Sequence, residues 1–234
     1  MEYVKKQIAD NFWCIEQNGV RSFLFLGENE ALLVDTCFGG DLMAVVGEIT
    51  DLPITLITTH GDRDHIGSDE QFDIHFMHPA EFEIYERKNQ KSPNAYPLWE
   101  GDVFSVGNYK LEVVLIPGHT PGSIALLNRE HKFILCGDTV QAHTIYMHGD
   151  GRNLQAFYYS IEKLKALRDQ GAFDTVYASH GQLEVPADIL EEHLTLAQML
   201  LDGKAEPVAD APDHFPKTVK TYGFGWVKMY FEMK

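Results

Sequence analysis

The sequence predicts an α+β protein built from two sheets covered by helices. Three observations carry this. The first third holds short β-rich runs separated by hairpin-turn residues. Beyond residue 60, strands and helices alternate. Of the 234 residues, 44% are hydrophobic and 23% charged, which allows a sizeable core without disulfide staples.

In chain order, residues 12–16, 22–26 and 31–35 are expected strands. They are separated by Asn18-Gly19 and Gly27-Glu28-Asn29-Glu30. Residues 41–51 form a helix with Asp41 as N-cap. Residues 53–59 are a short apolar strand that ends at His60. Residues 79–89 are helical, with Pro79 in the first turn. Residues 110–116, 123–127 and 133–136 are strands. A helix over 153–170 has Asn153 as its cap, Phe157, Ile161 and Leu164 on one face, and Gly171 just beyond. Residues 174–178 are a strand. Residues 186–202 are a helix with Leu190, Leu194, Ala197 and Leu201 in one stripe. Residues 205–216, with three prolines, are a loop leading to an alternating segment over 226–231. There is no repeat and no low-complexity tract, so one domain over 1–234 is expected.

The net charge of −16 argues against a nucleic-acid-binding surface, which needs a basic footprint. Two bound divalent ions would still create a local anion site. Cys14, Cys37 and Cys136 are far apart, with no Cys-x-x-Cys pair, and are expected to be buried free thiols of a reducing compartment. The N-terminus has no signal-peptide run, and no apolar stretch is long enough to span a membrane. The expectation is a cytoplasmic protein acting on a small molecule, with no nucleic-acid or membrane partner. The pattern carries no signal for oligomeric state.

Five segments each follow an expected strand, where a rigid sheet hands side chains to a cleft. The densest is Thr59-His60-Gly61-Asp62-Arg63-Asp64-His65-Ile66-Gly67, with four potential ligands in six residues. Two carboxylates and two imidazoles so close repel one another without a cation. Imidazole nitrogen and carboxylate oxygen suit zinc, manganese and iron. His60 and Asp62 can reach one ion, Asp64 and His65 a second. The others are Pro117-Gly118-His119-Thr120-Pro121-Gly122-Ser123, Cys136-Gly137-Asp138-Thr139, Ser179-His180-Gly181 and Val34-Asp35-Thr36. A lone histidine at a strand end is ordinarily a packed or surface residue; the order of all five segments is what points to a metal site.

That order resembles the metallo-β-lactamase fold superfamily, whose pattern is His-x-His-x-Asp-His, a Gly-His turn, an aspartate after a strand and a final histidine. The resemblance runs from about Phe12 to His180. It implies a four-layer αββα sandwich with two mixed sheets flanked by helices. It also implies that His60 and His119 hold a first metal, that Asp64, His65 and His180 hold a second, and that Asp138 bridges both. Asp35 resembles the aspartate that orients a ligand histidine. This chain departs from the pattern at Asp62, which stands in place of the second histidine. A carboxylate can still bind a metal there, and it makes the first site harder and more anionic. The implied cofactors are two divalent ions, zinc first, with manganese or iron admitted.

The implied reaction is hydrolysis of an ester, thioester, lactone or related small-molecule bond by a metal-bridging hydroxide, with Asp64 as the catalytic proton relay. Rival readings are a phosphodiesterase or nuclease, an iron-dependent redox enzyme and a non-catalytic binding module. The negative charge weighs against the nuclease, the chain length against a flavin-carrying redox enzyme, and the near-complete ligand set against the binding module. His143, Tyr146, His148 and Tyr222 are weaker candidates for the substrate pocket, with Lys217 and Lys220 as anion contacts. His75, His78, His131, His193 and His214 are expected in packed or solvated roles.

Overall fold

The computed structural model describes residues 2–89 and 94–233. The chain forms two compact units, Met1–Val114 and Leu115–Lys234. No helix among the described residues is long and apolar enough to cross a membrane.

The first unit contains β1 (Val4–Ala9), β2 (Phe12–Gln17), β3 (Val20–Leu26), β4 (Ala31–Val34), α1 (Leu42–Gly47), β5 (Ile54–Thr58), β6 (Ile74–Met77), α2 (Phe82–Asn89) and β7 (Tyr96–Pro97). Its seven strands follow sequence order across one sheet. Pairing is antiparallel from β1 to β4 and parallel from β4 to β7, so the sheet is mixed. The β2–β3 turn is Asn18-Gly19 with φ of 58° and 83°, the left-handed pair that a two-residue hairpin requires. Asp41 caps α1 by accepting the Ala44 N–H. Leu42 and Val46 pack that helix on Leu24, Leu33 and Leu56 of the sheet. A hairpin of β8 (Val103–Val106) and β9 (Tyr109–Leu115) follows.

The second unit contains β10 (Ile124–Asn128), β11 (Phe133–Leu135), β12 (Thr144–Tyr146), α3 (Leu154–Asp169), β13 (Thr175–Tyr177), β14 (Glu184–Pro186), α4 (Ile189–Leu201), β15 (Pro207–Asp210), β16 (Lys220–Phe224) and β17 (Val227–Phe231). Strands β10, β11, β13 and β14 make one mixed sheet, with β11 and β13 parallel. A small sheet runs β12-β17-β16-β15. Asn153 caps α3 through the Ala156 N–H, and Phe157, Ile161 and Leu164 are buried beneath it.

Several expectations change. β1 was not foreseen, because its alternation is exposed and partly charged. The expected loop over 205–216 contains β15, an edge strand opened by Pro207, a place where the missing N–H costs nothing. The helix expected over 186–202 begins at Ile189, since Pro186 ends β14. Its buried stripe is Ile189, Leu190, His193, Leu196, Ala197 and Leu200, leaving Leu194 and Leu201 half-buried. His193 tolerates burial because its Nδ1 bonds the Ile189 carbonyl at 2.8 Å. Cys14, Cys37 and Cys136 are free and buried. Burial pushes the Cys14 thiol up to about 12 and Cys37 to about 11, so neither is a thiolate at neutral pH.

Candidate metal centre

In the first unit, Asp35 follows β4 and the His60 run follows β5, neighbouring parallel strands that end side by side. Asp35 has φ 62°, a left-handed conformation that Asp tolerates better than most residues. The bend turns its carboxylate, 1% exposed as a residue, onto the next loop. Oδ1 accepts the Thr59 N–H at 2.7 Å. Oδ2 accepts the Thr59 hydroxyl and His65 Nδ1–H, both at 2.8 Å.

These bonds fix two tautomers. A carboxylate only accepts, so His65 carries its proton on Nδ1 and presents a lone pair at Nε2. The Thr59 hydroxyl gives its one hydrogen to Asp35 and therefore accepts from His60 Nδ1 at 3.0 Å. His60 thus also presents a lone pair at Nε2. The two rings stand 4.1 Å apart, and both residues are buried. Asp62 Oδ2 lies 3.7 Å from His60 Nε2, and Asp64 Oδ2 lies 3.9 Å from His65 Nε2.

In the second unit, Gly118 has φ 140°, and a Cβ there would come within 2.3 Å of the Phe157 backbone nitrogen. Only glycine lets this turn dock on the start of α3, where Asn153 N–H bonds the Gly118 carbonyl. The docking sets His119, which is fully buried. Its Nδ1 donates to the Tyr146 carbonyl at 3.1 Å, an acceptor only, so a third Nε2 carries a lone pair. Arg152 Nη1 holds the His119 carbonyl at 2.6 Å. Asp138, after β11, aims its two oxygens at two histidines: Oδ2 lies 3.8 Å from His119 Nε2 and Oδ1 lies 3.2 Å from His180 Nε2. His180 follows β13.

The donor set fits divalent ions. Two atoms bound about 2.0–2.2 Å from one ion stand about 3.3–3.8 Å apart at tetrahedral to trigonal angles. The nitrogen–oxygen separations within each unit are close to that range. Imidazoles held as Nδ1–H by a carboxylate, a hydroxyl and a carbonyl are the form a metal ligand takes.

Sequence reasoning missed the residues behind the candidate ligands. Thr59 relays Asp35 to His60. Thr36 donates to Asp69 at 2.6 Å, and Thr58 joins Asp69 to His75. Burial pushes the Asp69 carboxyl up to about 8 and His75 down to about 4. Folded Asp69 therefore keeps a proton that the unfolded chain releases near the ordinary aspartate value of 3.8. Its stabilisation is complete below that value and is lost as pH rises towards 8. His75 titrates in the opposite sense, and only below 6.5. Between pH 6.5 and 8 only Asp69 of this pair titrates, an effect worth up to about 2 kcal/mol by proton linkage. Urea unfolding at those two pH values should show stability falling in the wild type, with the slope removed in Asp69→Asn.

The weaker pocket candidates divide. Tyr222 is buried against Phe231 in the small sheet, so its ring packs there instead of lining an open pocket. Lys217 and Lys220 pair with Asp213 and Asp210. Tyr146 is exposed beside Tyr230 and Phe215, with His148 also near Phe215. His143 stands 6.4 Å from the His180 ring.

Among known proteins, the chain is 27% identical over 214 residues to the acyl-coenzyme A thioesterase MBLAC2 of Gallus gallus, covering 72% of this chain and 76% of the relative. It is 30% identical over 168 residues to the hydroxyacylglutathione hydrolase of Aeromonas salmonicida, covering 68% and 59%. The chain thus spans under two thirds of the latter's length. A metallo-beta-lactamase from Pontibacter korlensis superposes with a TM-score of 0.70 at 18% identity, over 84% of this chain and 99% of that one. The DIM-1 metallo-beta-lactamase gives 0.69 at 14% identity, over 85% and 98%. These likenesses show the fold, an α/β architecture of mixed sheets with few helices. The profile of the metallo-beta-lactamase superfamily matches residues 16–181, a stretch that contains every strand-end candidate residue described above and most of the chain, so the chain belongs to the metallo-beta-lactamase superfamily.

Proposed function

We propose that this chain is a metal-dependent hydrolase of thioesters. The observation that carries the reading is the common tautomer of His60, His65 and His119, each donating from Nδ1 and presenting Nε2. The bond is suggested by two relatives, an acyl-coenzyme A thioesterase and a hydroxyacylglutathione hydrolase, which both cleave thioesters.

In this reading, His60, Asp62 and His119 serve a first divalent ion, Asp64, His65 and His180 a second, and Asp138 both. Zinc is the first choice, with manganese or iron admitted by the carboxylates. Bound ions supply Lewis acidity and an acidified water. Asp35 keeps His65 oriented directly and His60 through Thr59. Asp64, at 23% side-chain exposure, is the one of these carboxylates most open to solvent. It takes a proton from the attacking water and passes it to the departing sulfur. Water oxygen adds to the acyl carbon, the C–S bond breaks, and the products are a carboxylic acid and a thiol. Tyr146, His148 and His143 contact the acyl or thiol portion. The three free thiols favour the cytoplasm.

The test is a panel of an acyl-coenzyme A, an acylglutathione, a lactone and a phosphodiester, with and without chelator. Chelator-sensitive turnover of a thioester is expected, with the phosphodiester at background. Turnover of the phosphodiester alone would replace this reading with that of a phosphodiesterase.

A further inference from the structure

Asp62 stands where the superfamily pattern has a histidine, and it has an ionic neighbour on α2. Lys88 places its Nζ on Asp62 Oδ1. The other oxygen, Oδ2, faces His60 Nε2 at 3.7 Å. Side-chain exposure is 13% at Asp62 and 30% at Lys88, so water screens the pair less than an ion pair in open solvent. The same segment braces the loop a second time. Glu81, fully buried, accepts the Gly61 N–H at 2.7 Å. Residues 79–88 therefore fix both the backbone and the charge of the His60 loop.

We propose that Lys88 is a positioning residue that draws Asp62 away from the first metal position, so that the two ions bind with unequal affinity. The proposal rests on the metal-hydrolase reading above. A carboxylate with one oxygen occupied by an ammonium is a poorer metal ligand than a free one. The ammonium also repels a divalent ion a few ångströms away. Both effects bear most on the position served by His60 and Asp62 and least on the one served by Asp64 and His65. The substitution of Asp for His thus comes with a cation that offsets the added negative charge, and the outcome is a tight ion and an exchangeable one.

The test is a chelator-competition titration of the metal-stripped full chain with zinc. The wild type should bind in two steps, the second weaker. Lys88→Met keeps the aliphatic stem and removes the charge; it should tighten the second step by about tenfold and leave the first unchanged. Lys88→Gln should move it in the same direction, while Lys88→Arg stays near the wild type. In an Asp62→Asn background, Lys88→Met should tighten the second step by clearly less than in the wild type, because only the direct repulsion remains once the carboxylate is gone. A second step that is unchanged or weaker in both Lys88→Met and Lys88→Gln overturns the proposal and leaves the metal centre standing. Zinc bound by neither the wild type nor the variants overturns the metal reading, and this proposal with it.

Discussion

Asp138→Asn is expected to lower kcat/KM on a thioester by on the order of 10³-fold, since Lewis-acid stabilisation is worth several kcal/mol. Asp138 turns its two oxygens to two histidines, His119 and His180. Asparagine keeps the shape and removes the charge that would serve two ions. The same substitution should not harm the metal-free fold. It removes a buried negative charge, so the apoprotein Tm should hold or rise. In the wild type, zinc should raise Tm, because a ligand bound only by the folded state stabilises it. That shift should be mostly lost in Asp138→Asn. A variant with full turnover, or with an undiminished zinc-induced shift, would remove Asp138 from the centre.

Asp35→Ala should damage stability and metal affinity together. One buried carboxylate accepts from the Thr59 amide, the Thr59 hydroxyl and His65 Nδ1. Truncation orphans two buried donors outright and lets the Thr59 hydroxyl turn. At about 1–3 kcal/mol per orphaned group, the loss is about 2–6 kcal/mol of folding stability. His60 and His65 lose their tautomer control together, and zinc affinity should fall by about 10–100-fold. Asp35→Asn separates the two effects. Asparagine accepts the left-handed backbone at φ 62° but offers one acceptor oxygen for three donors. It should keep more of the stability than alanine and still weaken zinc. Chemical denaturation and chelator competition measure the two losses. Equal stability and zinc affinity in Asp35→Asn and the wild type would show that the orientation of His65 does not depend on this carboxylate.

The candidate site residues were legible in the sequence because each is local to a strand end. Asp35, His60, His119, Asp138 and His180 all lie just beyond a strand, and strands announce themselves by apolar runs closed with Gly or Pro. The caps at Asp41 and Asn153 were legible for the same reason, since a cap acts within three residues. What the sequence did not show is what depends on distant partners. Lys88 is 26 residues from Asp62 and looks like any solvated charge at a helix end. Asp69 and His75 are polar, and nothing in a hydrophobic pattern marks a polar residue that is buried because two threonines satisfy it. The stripe of α4 was misplaced because His193 was excluded from an apolar face that in fact contains it. β1 and β15 present exposed faces, so the alternation that identifies a half-buried strand is missing from both.

In the proposed hydrolase, three histidines are held as Nδ1–H so that Nε2 can bind metal. Nitrogen-15 NMR of the imidazoles, recorded on the metal-free protein and again with zinc, tests it directly. Nδ1–H tautomers are expected for His60, His65 and His119 before zinc is added, with a shift of all three Nε2 resonances on binding. A proton on Nε2 of any of the three in the metal-free state, or Nε2 resonances that zinc leaves unmoved, would contradict it.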